Sequence, residues 1–225
     1  MAKKQLIIQP HSDDALFSAS HLLFSGNVSV CTVENNAKRV AEDEKLYEFL
    51  EIPYQHLNVE FEDNSYYDFK KQHKEVNDDV VIEFITDYFG NKKTAEIQRE
   101  VIAYVSNFIK RHKSVVVFLP LGVGHPFHIF IRYVIEKEFE GNSNVKLKYY
   151  RDFPQSYKKK SQKQMEELLK QYVLQSQHKV EDFAAVKWEL AKKFYKSQSG
   201  LLWFEQAYIR KNLPEEIYVK GESSV

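Results

Sequence analysis

The segment Ser114-Val115-Val116-Val117-Phe118-Leu119-Pro120-Leu121-Gly122-Val123-Gly124-His125-Pro126-Phe127-His128 decides the fold. A strand with one face in water shows a polar residue at every second position. The unbroken apolar run from Val115 to Leu119 instead predicts burial on both faces, as in a central parallel strand. Pro126 suits the first turn of a helix that should reach about Phe139 and close at Gly141. Toward the N-terminus, Leu6-Ile7-Ile8 reads as a buried strand ending near Gln9-Pro10, and Asp13 to Ser25 as a helix closed by Gly26-Asn27. Val28 to Val33 is a second strand, and Ala37 to Leu50 a helix stopped before Pro53. Asn58 to Asn77 is aromatic and acidic without a period, and predicts a long loop over one end of the sheet, where substrates are gripped. Asp78 to Phe89 and Thr94 to His112 read as helices separated by a turn at Gly90-Asn91. Beyond the central strand come a strand at Val145 to Tyr150, a polar helix at about Gln155 to Lys170 and a short strand at Tyr172 to Leu174. A helix at Val180 to Ser197 follows, then edge strands at Ala207-Tyr208-Ile209 and Ile217-Tyr218-Val219. Strand–helix alternation at this spacing predicts an α/β fold with a mostly parallel sheet flanked by helices. No repeat, linker or composition shift divides the chain, so residues 1–225 are expected to form one domain.

Composition narrows the function. Of the 225 residues 43% are hydrophobic and 14% aromatic, enough for a sizeable core, which excludes global disorder. Thirty-two basic residues balance 32 acidic ones, so the chain lacks the overall basic footprint of a nucleic-acid binder. A single cysteine, Cys31, forbids an intrachain disulfide and fits a reducing compartment. No run approaches the roughly 18 apolar residues of a membrane span. The apolar stretch after Lys3-Lys4 stops at Gln9-Pro10-His11, too short for a signal peptide. A cytoplasmic protein is expected.

Two segments carry chemistry. Pro10-His11-Ser12-Asp13-Asp14 and His125-Pro126-Phe127-His128 both fall just past the carboxyl ends of predicted parallel strands, where open α/β sheets bind ligands. His11 and Asp14 are three apart at a strand-to-helix turn, and so are His125 and His128 at the next helix start. Each segment alone has a plainer reading: Ser12 or Asp13 as a helix cap, and two polar histidines in a glycine-containing loop. Together they supply two imidazoles and a carboxylate, a typical catalytic zinc set that keeps one position open for water. His11, Asp14 and His128 are the candidate ligands, Asp13 the general base, and His125 a proton donor or oxyanion stabiliser. Spacing alone equally allows His125 in place of His128. The same donor set accepts iron(II) or other divalent ions.

Pro10 to Asp14 resembles the first motif, and Leu119 to His128 the second, of the PIG-L/LmbE-like family of zinc-dependent N-acetylglucosaminyl deacetylases. Further similarities lie at Arg39-Val40-Ala41-Glu42 with Leu50-Glu51-Ile52, at Tyr150-Arg151-Asp152-Phe153-Pro154, and at Tyr195-Lys196-Ser197-Gln198. Order and spacing match along most of the chain. The resemblance implies a Rossmann-like fold and hydrolysis of an N-acetyl group on a small amino sugar, its conjugate or a sugar-nucleotide. It also implies zinc on His11, Asp14 and His128, water activation by Asp13, and assistance from His125 at the tetrahedral intermediate. The sequence departs from the family at Ser12, where Pro is frequent, at Ala15, where an acid is common, and at Phe127, where Asp is usual. The resemblance implies that this Asp orients a histidine, and Asp152 is the candidate to replace it at His125. The departure at Phe127 motivates an alternative, a non-catalytic sugar- or nucleotide-binding member of the same fold. Arg39, Asp63, Arg151 and Asp152 are the candidate substrate contacts. Lys158-Lys159-Lys160 reads as a solvated face, and Trp188 and Trp203 as packing residues.

Overall fold

The structure, a computed structural model, describes residues 3–59, 69, 77–153, 155–179, 184–198 and 213–221. Asp63 and nearly all of the aromatic loop lie outside the described residues, as do Trp203 and the strand expected at 207–209. The strands are β1 (Lys4–Gln9), β2 (Val28–Glu34), β3 (Tyr54–Val59), β4 (Val115–Pro120), β5 (Val145–Tyr150), β6 (Tyr172–His178) and β7 (Glu215–Lys220). The helices are α1 (Asp14–Ser18), α2 (Ser20–Leu23), α3 (Ala37–Phe49), α4 (Asp78–His112), α5 (Pro126–Phe139), α6 (Gln162–Leu168) and α7 (Ala184–Phe194).

Among the described residues the strands form one sheet in the order β3-β2-β1-β4-β5-β7-β6. The pairs from β3 through β5 are parallel, and β7 is antiparallel to both neighbours. β4 is central and all of its residues are buried. Alternation explains why it needs no polar residue. Val115, Val117 and Leu119 join Leu6, Ile8 and Val33 beneath α4 and α5, which supply Val101, Val105, Phe108, Ile131 and Ile135. Val116 and Phe118 join Ile7 and Val30 beneath the other helices, with Leu16, Leu46, Tyr47 and Leu190. Each such large side chain contributes about 1.5–3 kcal/mol by leaving water, so both faces are firmly specified.

The remaining differences from expectation have local causes. β3 escapes the sequence pattern because Gln55 and His56 interrupt its apolar run; an edge strand tolerates them. Ile217–Val219 is not an edge: β7 inserts between β5 and β6, and the edge is β6, four residues longer than the expected Tyr172–Leu174. The helix expected at Asp13–Ser25 breaks at Ala19 (φ −144°, ψ 34°). There Ser20 Oγ and the His21 backbone N–H both donate to Glu215 on β7, at 2.5 and 3.0 Å, and Lys187 Nζ pairs with the same carboxylate while also donating to the Phe17 carbonyl. Tertiary acceptors have outcompeted the helix. The kink of α4 falls at Gly90, whose φ of 75° suits glycine. The polar helix expected from Gln155 is two 3₁₀ turns followed by α6. No helix among the described residues is long and apolar enough to cross a membrane.

Candidate metal centre at the carboxyl ends of β1 and β4

β1 and β4 are adjacent and parallel, with Ile7 opposite Phe118. Strand order reverses between them, because β1 leads to β2 on one side and β4 to β5 on the other. The loops that follow therefore diverge and leave a crevice at the switch point. Residues 10–14 enter it from β1 and residues 121–128 from β4.

Asp14 is the first residue of α1, and its Oδ2 accepts the backbone N–H of His11 at 2.8 Å, which fixes carboxylate and imidazole relative to each other. His128 stands in the first turn of α5, behind Pro126. Three donor atoms converge: His11 Nδ1 is 3.0 Å from His128 Nε2 and 3.6 Å from Asp14 Oδ2, and His128 Nε2 is 3.3 Å from the same Oδ2. All three residues are under 10% exposed. A tetrahedral ion with bonds of about 2.0–2.2 Å places its ligands about 3.3–3.6 Å apart. The two edges to Asp14 match that spacing, and the 3.0 Å edge between the histidines would open by about 0.3 Å around an ion.

The protons point the same way. His128 Nδ1–H donates to Asp152 Oδ1 at 2.6 Å, which leaves Nε2 facing the triangle. Burial opposes a charge on His128, but Asp14 first and then Asp152 hold its pKa above the ordinary histidine value. Burial likewise raises Asp14, yet the neighbouring His128 and His11 prevail and hold its carboxyl below the usual range. Donors that compete for one proton are also the set that a divalent cation takes with release of that proton.

His125, just before α5, is the third imidazole. Its ring centroid lies 4.6 Å from His11 and 4.8 Å from His128, and the three histidines offer nitrogens within 4.8 Å of one another. Two overlapping donor sets therefore meet here: His11, Asp14 and His128, whose donor atoms lie 3.0–3.6 Å apart, and the three histidines together. Asp13 holds the N-cap position of α1 at φ 86° and makes no side-chain cap bond, so the capping reading of this residue is not realised. Phe127 is fully buried in the core and packs 5.6 Å from the His11 ring.

Asp152 does not orient His125 as expected. One oxygen goes to His128 and the other accepts the backbone N–H groups of Gly122 (2.8 Å) and Val123 (3.2 Å), because β5 ends beside the loop after β4. Arg39 reaches Glu34 at 3.3 Å, and Glu34 accepts the Ser12 N–H at 3.1 Å, so Arg39 stands one residue removed from the first motif. Arg151 turns toward β7, bonded to Glu216 at 2.6 Å and laid on the Tyr157 ring. Asp63 lies outside the described residues.

Glu34, Gln9 and Asp43 were missed from the sequence. Glu34 offered a positional signal as the last residue of a parallel strand. Asp43 offered another, since it lies three and four residues before the buried Leu46 and Tyr47 and so is a carboxyl on the apolar face of its helix.

No protein-family model matches the chain, and no curated protein matches it by sequence. Solved structures do match. The zinc-inhibited form of teicoplanin deacetylase Orf2 is similar at a TM-score of 0.60 and 17% identity, over 99% of this chain and 100% of that one. The A40926 pseudoaglycone deacetylase Dbv21 is similar at a TM-score of 0.62 and 17% identity, over 99% of both chains. A deacetylase–teicoplanin complex gives a TM-score of 0.58 and 15% identity, over 98% of this chain and 100% of that one. At such identity the likeness is one of fold.

Proposed function

We propose that this chain is a metal-dependent N-deacetylase acting on a small N-acetylated amino sugar or its conjugate. The observation that carries the reading is the triangle of His11 Nδ1, His128 Nε2 and Asp14 Oδ2 at the switch point of the sheet. The fold shared with a teicoplanin deacetylase and an A40926 pseudoaglycone deacetylase supports deacetylation as the reaction class.

In this reading His11, Asp14 and His128 hold zinc, or another divalent ion such as iron(II). The ion supplies Lewis acidity at an acyl oxygen and lowers the pKa of water toward 7. Asp13 accepts the proton of the attacking water as its oxygen adds to the acetyl carbon. His125 donates a proton to the amide nitrogen as the C–N bond breaks, so acetate and a free amine leave. Asp152 keeps His128 in the tautomer that presents Nε2. Arg39, Arg151 and Asp63 are kept as the proposed substrate contacts on sequence grounds, and Asp152 acts from behind a ligand. We place the enzyme in the cytoplasm with a small N-acetylated molecule as its partner; 32 basic residues balanced by 32 acidic ones give nucleic acid no overall basic footprint to bind.

The non-catalytic alternative rests on Phe127. It makes the opposite prediction in one experiment: metal content by mass spectrometry, followed by amine release from N-acetylated amino sugars and glycoconjugates. The proposal expects about one ion per chain. It expects Asp14→Ala and His128→Ala to lose the ion while folded, and Asp13→Asn to keep the ion but lose turnover. Wild-type protein that takes up no metal on reconstitution ends the hydrolase reading. Protein that binds metal yet releases no amine from any substrate is the binding protein instead.

A further inference from the structure

A buried polar cluster lies behind the loop that carries Asp13. Its centre is Asp43, on α3, a fully buried carboxyl. Tyr195 Oη donates to Oδ1 at 2.6 Å, while Gln9 Nε2 and Thr32 Oγ1 donate to Oδ2 at 2.7 and 3.0 Å. The backbone N–H of Asp13 donates to the same carboxyl. Gln9 in turn accepts the Ala15 N–H at 2.9 Å through its Oε1. The donors come from β1, β2 and the segment after α7, and Gln9 and Thr32 face one another because they are register partners.

This arrangement answers two local problems at once. Every helix start leaves backbone N–H groups unsatisfied, and the usual remedy is the side chain at the N-cap. Here the N-cap is Asp13 and makes no such bond; the amides of residues 13 and 15 are taken up from behind by Asp43 and Gln9. Asp13 also sits at φ 86°, a region disfavoured for a residue with a Cβ and held only where the surroundings impose it.

We infer that Asp43 is a positioning residue: by gripping the Asp13 amide it holds that residue in its left-handed conformation, and so sets where the Asp13 carboxyl points. The inference rests on the role proposed for Asp13, and it assigns Asp43, Gln9 and Tyr195 to the machinery that aims the base. Asp43 touches neither the three candidate ligands nor the reacting atoms. Its loss therefore acts on the proton-accepting step and leaves ion binding intact. A purely structural carboxyl would lower stability without separating these two effects.

The test compares full-length wild type, Asp43→Ala and Asp43→Asn, the last retaining volume should the alanine variant not fold. Three readouts are taken: the HN–Hα coupling and intraresidue nuclear Overhauser effect of Asp13 by NMR, cobalt(II) affinity, and kcat and KM on the best amino-sugar substrate of the screen above. A positive φ at Asp13 in wild type should be lost in the variants. Misplacing a catalytic group costs on the order of 10²-fold in kcat, with KM and cobalt affinity within about threefold of wild type. Asp13 remaining at positive φ in a folded variant overturns the inference, and so does kcat within about threefold of wild type. Wild-type protein that binds no cobalt and cleaves nothing defeats the deacetylase reading instead, while the NMR signature still decides whether Asp43 holds Asp13.

Discussion

Replacing Asp152 with Asn creates a conflict in either orientation of the new amide. The native carboxylate accepts on both sides: the His128 ring N–H at 2.6 Å, and the Gly122 and Val123 amides at 2.8 and 3.2 Å. With its oxygen toward His128, the new NH₂ confronts two backbone donors; reversed, it confronts the ring N–H. Asp152 is 1% exposed, so water cannot relieve either clash. A buried donor left unpaired costs about 1–3 kcal/mol. At 1.4 kcal/mol per decade that is about 5- to 150-fold, which spans the 10- to 100-fold typical of losing a partner behind a metal ligand. The assay is zinc or cobalt affinity of the purified variant by competition with a chelator near neutral pH. The thermal midpoint of the ion-free protein should fall with it, by about 2–4 °C per kcal/mol for a chain of this size. Affinity within about threefold of wild type would refute the argument that Asp152 fixes the His128 tautomer.

Four further outcomes are expected. Asp13→Gly should raise stability by about 1 kcal/mol in denaturant unfolding, because φ 86° suits glycine, while turnover should fall about 10²- to 10⁴-fold with the proposed base gone. Gly122→Ala should lower stability by roughly 2–4 kcal/mol in the same measurement, since φ is +77° and the new Cβ would meet the Ile129 Cα at 3.1 Å. Lys187→Met strands the buried Glu215 carboxylate and should cost about 3–5 kcal/mol, part of it recovered by adding Glu215→Gln. Burial, against the pull of Tyr195 and Thr32, pushes Asp43 up to about 7. In the unfolded chain it titrates near 3.9, so between these values the folded state binds more protons. Stability of the ion-free protein should therefore fall as pH rises from about 4 to 7, by up to roughly 4 kcal/mol from this group, and Asp43→Asn should flatten the slope in pH-dependent unfolding.

How far the sequence reaches is seen best by comparing residues. Val115–Leu119 announced a central strand because burial on both faces leaves no position for a polar residue, and Leu6-Ile7-Ile8 did the same for its neighbour. Glycine and proline marked the turns at 90, 126 and 141 because their backbone limits are local. Once those strands are parallel and adjacent, the two histidine motifs must meet at one end of the sheet, which is why the candidate centre is legible in the sequence. What periodicity could not reveal was an element whose stability is borrowed. β3 has a polar middle that only an edge position excuses, and β7 is an interior strand supplied from the far end of the chain.

Side-chain partnership belonged to the tertiary structure for the same reason. His11 and His128 are 117 residues apart, Tyr195 and Asp43 are 152 apart, and Ser20 and Glu215 are 195 apart. Composition and spacing supplied the donors and acceptors. Which ring Asp152 holds and which carboxyl grips the Asp13 amide were set by where packing of the sheet and helices brings the backbone. A hydrogen bond is decided within a few tenths of an ångström, whereas sequence patterns locate a residue only to a face and an end of its element.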